Sequence, residues 1–165
     1  MKRTILCLGL AAASASALAD RLPIPADAPP AFQAECGSCH LPFPPALLAA
    51  DDWRRVMGGL DKHYGDNASL DEKSRRQIEE FLARHAGSDR RVTRPDIKPG
   101  ELPRLTLTHW FRKKHDEVPA AAWKDKAVGG AANCAACHTK AEQGSFRERE
   151  IRMPGNIGGR RHDRD

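Results

Sequence analysis

At 165 residues the chain has room for one domain or two small ones. Only 5% of it is aromatic and 30% is charged, so the apolar core is thin, and past the N-terminus no run of about 20 apolar residues offers a membrane span. Its formal charge of +5 includes the first residues, which the next pattern removes.

Lys2 and Arg3 precede an apolar run over residues 5–13, followed by Ala17, Leu18 and Ala19. A basic start, a short apolar stretch and small residues at a cleavage point describe an export signal over residues 1–19, cut after Ala19. The expected compartment is the periplasm. The mature chain of about 146 residues would then carry 25 basic and 22 acidic side chains, a charge of +3. Cys7 leaves with the signal, lying too early in it to act as a lipoprotein acceptor.

Residues 20–30 are rich in Pro and Ala and read as an extended lead-in. A short helix is expected over 31–39, delivering the pentad Cys36, Gly37, Ser38, Cys39, His40. Prolines at 42, 44 and 45 force a turn, and Asp51 and Asp52 offer N-caps for a helix through Tyr64 that closes at Gly65. Trp53, Val56, Met57, Leu60 and Tyr64 share one face of that helix. Ser69 with Glu72 forms a capping-box pattern before a helix whose stripe is Ile78, Phe81 and Leu82. Residues 86–103 turn to Gly, Pro, Arg, Lys and Asp and read as a linker or surface loop. Thr108 can cap a short helix holding Trp110, Phe111 and His115. A further helix is expected to run into a second pentad, Cys134, Ala135, Ala136, Cys137, His138, and past it. No strand pattern stands out, so the expected class is all-α, one unit with two lobes of short helices and long loops, over 20–90 and 91–165.

Each pentad has the spacing for covalent haem attachment. Two thiols add across the two vinyl groups of a haem, and the adjoining histidine, His40 or His138, becomes the proximal ligand. The same four cysteines could form two local disulfides or a zinc site. A histidine directly after each second cysteine, in an exported chain, favours two covalently bound haem c groups. Four haem propionates would bring the mature charge to about −1, so the basic pI is a poor argument for nucleic-acid binding. The arginines between 147 and 164 are expected to form a flexible, solvated tail.

A six-coordinate iron needs a second ligand from Met57, Met153, His63, His85, His109, His115 or His162. Met57 sits mid-stripe and suits the core, and Met153 has no helical face to fix it. His109 and His162 read as surface histidines. His63 is favoured for the first haem with His85 as its rival, since both end apolar stripes and periodicity does not separate them. For the second haem the choice is His115, four residues after Phe111 and on its face.

These residues resemble the small periplasmic dihaem cytochromes c of the DHC type. The resemblance rests on residues 36–40, Pro42 to Pro45, Trp53, Met57 and residues 63–70 in the first lobe. In the second it rests on Trp110, Phe111, Lys114, His115, residues 133–138, Ala141 and Gly144. It implies a cytochrome c-like fold, low-potential haems with two histidine ligands each, and His63 and His115 as the distal pair. It also implies small periplasmic redox partners such as an oxygen-binding monohaem cytochrome c, with a membrane b-type cytochrome as a donor. The expected role is single-electron relay without catalysis. The alternatives are a haem enzyme or gas-binding protein with one open iron, such as a small peroxidase, and a structural zinc module.

Overall fold

The computed structural model describes residues 21–88 and 90–154. The export signal and its cleavage point, Arg160, Arg161, His162 and Arg164 lie outside the described residues. Among those described there is no strand, only three isolated bridges, Arg21 with Ser145, His63 with Asp66 and His138 with Ile151. Three α-helices, α1 (Ala50–Gly58), α2 (Glu72–Arg84) and α3 (His109–Lys114), are joined by loops with short 3₁₀ turns. None is long and apolar enough to cross a membrane.

The lead-in is extended, and the expected helix after it is a single π-helical turn, Phe32–Cys36. Phe32 is buried there against Phe81 of α2, with ring centres 5.0 Å apart. Helix α1 begins without a side-chain cap, because its two acids are already engaged. Asp51 pairs with Arg54 at 2.7 Å, and buried Asp52 accepts from Arg94 Nε at 2.8 Å. Nor does α1 reach Tyr64. Two successive glycines weaken it at Gly58 and Gly59, and Leu102 Cδ2 lies where a side chain on Gly59 would sit. The stripe is kept only as far as Met57, which is 3% exposed and belongs to the core.

At α2 the cap is Asp71, whose carboxylate accepts from Lys73 N and Ser74 N, both at 3.0 Å. Ser69 lies outside the helix, its own N–H donating to Asn67. The expected stripe is buried, with Ile78, Phe81 and Leu82 all at 2% exposure or less, and α1 packs on it. Thr108 caps α3 as expected, accepting from Phe111 N at 3.3 Å.

No helix runs through the second pentad. Gly129 and Gly130 take positive φ angles of 70° and 113°, which helical residues avoid. Only the 3₁₀ turn Cys134–Ala136 forms. The chain then returns on itself, with Arg152 N donating to Cys137 O at 2.9 Å, so the residues up to Pro154 are held rather than frayed.

Candidate haem sites

The first site is built on two turns. The π-turn places Cys36 half-buried at its end, and burial, with Glu35 adding to it, pushes that thiol up to about 11. Cys39 and His40 follow on the surface. His40 Nδ1 lies 2.7 Å from Leu41 O. A carbonyl only accepts, so Nδ1 carries the proton and Nε2 keeps its lone pair for a metal. His63 arrives from the opposite side, on the 3₁₀ turn that ends α1, in a tight reversal to Asp66. Gly65 at φ 116° and Tyr64 at φ 53° make that reversal.

The rings of His40 and His63 stand 6.2 Å apart with planes at 16°. Two imidazoles bound to opposite sides of one metal, with bonds of about 2 Å, place their ring centres about 6 Å apart. The pair therefore fits a metal between them. His63 is held neutral by burial first and then by His40, with Asp66 opposing. The edge of Tyr64 lies against it at 4.8 Å, and Tyr64 is pinned by Pro103 O and by Arg104 above its ring.

The second site repeats the logic on other elements. Cys134 and Cys137 are half-buried, and burial pushes Cys134 up to about 11 and raises Cys137. His115 caps the end of α3, its Nδ1 donating to Phe111 O at 2.8 Å, which leaves Nε2 as the free donor nitrogen. Its ring is 6.0 Å from that of His138, with planes at 80°. Burial lowers the pKa of both imidazoles, so both stand as neutral ligands near pH 7. Phe111 stacks on His115 at 4.1 Å, while Trp123 meets it edge-on at 5.7 Å and Phe146 meets His138 at 5.3 Å.

The other candidates lie elsewhere. His85 Nε2 faces Asp27 Oδ2 at 2.9 Å. His109 is exposed on a groove wall, and Met153 is half-buried near the end of the described chain. The cysteines are free thiols, which leaves both disulfides unmade. Among the described residues no three His, Cys, Asp or Glu side chains converge as a zinc site requires. Sequence reasoning missed Tyr64, Arg104 and Phe146 as supports of the histidines. Tyr64 is held by Pro103, 39 residues on, and by Arg104, and Phe146 reaches His138 only because the chain returns on itself, so only the aromatic side chains themselves were a signal.

A helical chain with no strand among its described residues, which keeps four thiols beside two opposed imidazole couples, is built as a c-type cytochrome with two haems. Residues 32–146 match the dihaem cytochrome c family, and the chain belongs to that family. Its cofactors are two haem c groups, and the family is one of haem-based electron-transfer proteins. The dihaem cytochrome type c of Shewanella baltica OS155 is similar over 76% of this chain and 93% of its own, at 38% identity and a TM-score of 0.64. A dihaem cytochrome c of Rhodobacter sphaeroides is 40% identical over 72% of this chain and 96% of its own, with a TM-score of 0.60. A second structure from that organism, of purified DHC, has the same identity and TM-score over 74% of this chain and 99% of its own. None of the curated proteins compared with the chain matched it.

Proposed function

We propose that this protein relays single electrons between redox proteins of the periplasm, through two haems each closed by two histidines. The observation that carries the reading is the pair of ring separations, 6.2 Å and 6.0 Å, each next to its own pair of thiols. Cys36 and Cys39, and Cys134 and Cys137, add S–H across the vinyl groups. Each haem c then supplies a ferric–ferrous couple. His40 and His63 hold the first iron, His138 and His115 the second. Two imidazoles on each iron favour ferric iron more than a thioether would and make both potentials low. They also leave no coordination position for a substrate, which argues for relay over catalysis.

The N-terminal signal supports export. The partners that fit are a small oxygen-binding monohaem cytochrome c as acceptor and a membrane b-type cytochrome as donor, on the resemblance to the DHC type. The test is carbon monoxide added to the dithionite-reduced protein at neutral pH. No prompt change in the visible spectrum is expected; a prompt shift in half of the haem would expose an open iron and displace the relay reading.

A further inference from the structure

We infer that Phe43 and Phe111 fix the axial imidazole planes near parallel at the first site and near perpendicular at the second, and that the second iron therefore accepts the first electron. This rests on the bis-histidine reading above. At the first site the plane angle is 16° and at the second 80°. At each site one ring is locked by an aromatic stack and a backbone carbonyl. Phe43 lies on His40 at 4.7 Å and 21°, with Leu41 O on Nδ1. Phe111 lies on His115 at 4.1 Å and 21°, and its own carbonyl takes Nδ1.

Imidazole donates π density perpendicular to its ring plane, into one of two iron d orbitals of that symmetry. With parallel planes both ligands raise the same orbital, and the hole of ferric iron sits there, stabilised by both. With crossed planes each ligand raises a different orbital, the two stay close in energy, and the hole gains from only one. Ferric iron is therefore less favoured at the second site. A one-electron donor there is oxidised as Fe³⁺ becomes Fe²⁺, and no bond is made or broken.

The other levers on potential are matched between the sites or divided within one. Hydrogen bonding to the ligands is matched, since each site has one carbonyl-bound Nδ1 and one buried Nδ1, on His63 and on His138, without a protein partner. Charge is divided at the first site, where Asp66 closes the turn with His63 and favours ferric iron while Arg104 above Tyr64 favours ferrous.

The experiment is low-temperature electron paramagnetic resonance on the oxidised holoprotein during stepwise reduction with dithionite. Two low-spin ferric signals of equal spin are expected. One should be rhombic with three resolved features, the other a single strongly shifted low-field feature that disappears first. In Phe111→Leu, which keeps the carbonyl but not the stack, the low-field feature should move and broaden while the rhombic signal stays. Phe111→Tyr should restore it. Two signals of the same type, loss of the rhombic signal first, or an unaltered low-field feature in Phe111→Leu would overturn the inference. If that variant does not load haem, the wild-type spectrum and its order of loss decide. A high-spin ferric signal in untreated wild type would instead defeat the bis-histidine reading beneath it.

Discussion

His63, His85 and His115 differ in what each ring faces. His85 ends α2 with its Nε2 against Asp27, and its ring packs on Phe81 at 5.2 Å. His63 and His115 each face the histidine of a pentad across the width of a metal and its two bonds. The sequence could not divide His63 from His85 on periodicity, because what separates them is Asp27, 58 residues from His85, and the left-handed Tyr64 in the reversal after His63. Neither is a feature of a helical stripe. His63→Ala should open the first iron and His115→Ala the second, each turning about half of the haem high-spin, raising its potential and letting it bind carbon monoxide. His85→Ala should leave both irons low-spin. Visible spectra with and without carbon monoxide check all three, and the reverse result for His63 and His85 would reverse the assignment.

Helix α3 has six residues, far below the length at which a helix holds in water without packing. Its support is Thr108, buried and doubly bonded, which donates to Leu105 O at 2.7 Å and accepts from Phe111 N. The same Phe111 then anchors His115 one turn on. Thr108→Ala is expected to destabilise the fold by about 1 kcal/mol and to loosen the second iron selectively. A thermal melt followed at the haem bands should show high-spin character at lower temperature for one haem only, with Thr108→Ser restoring it. A melt in which both haems respond alike would place the cap in general stability. Helix α3 was legible because stripe and cap agree within a few residues of each other, and α2 was legible from its stripe, although its cap is Asp71 and not the Ser69 that the capping-box pattern offered. Helix α1 is shorter than its stripe because the apolar spacing continues to Tyr64 after Gly58 and Gly59, where the α-helical bonding gives way to the 3₁₀ turn Leu60–Lys62. The helix expected at the second pentad was wrong for the same kind of reason, since Gly129, Gly130 and the returning 145–152 segment outweigh local propensity. The pentads were fully legible, because there spacing and chemistry are the same thing.

Across the whole molecule, contacts run between the two halves at several points. Residues 86–103, read as a linker, lie on α1 through Arg94 and Asp52, whose side chains are 15% and 7% exposed. Pro103 and Arg104 reach Tyr64 beside the first site. Buried Leu22, Phe32, Leu105 and Phe111 belong to one core cluster. The lead-in closes the arrangement from outside, tied to the end of α2 by Asp27 and to the second half by Leu22 N, which donates to Gly144 O at 2.8 Å. Gly144 holds φ at 67°, and a Cβ there would lie 2.5 Å from Pro23 Cα and 2.8 Å from Leu22 O. Both neighbours are backbone, so neither can swing aside as a side chain would. Gly144→Ala should therefore displace the lead-in and destabilise the protein by about 1–3 kcal/mol. The four histidines proposed as ligands lie outside the contact between Gly144 and the lead-in, so both irons should stay low-spin. Hydrogen exchange should quicken at residues 21–24 and 144–145 before it changes in α1 and α2. Unchanged exchange and an unchanged melting temperature would mean that the lead-in is a passenger, and that the two halves are joined by Asp52, Arg94 and Tyr64 without it.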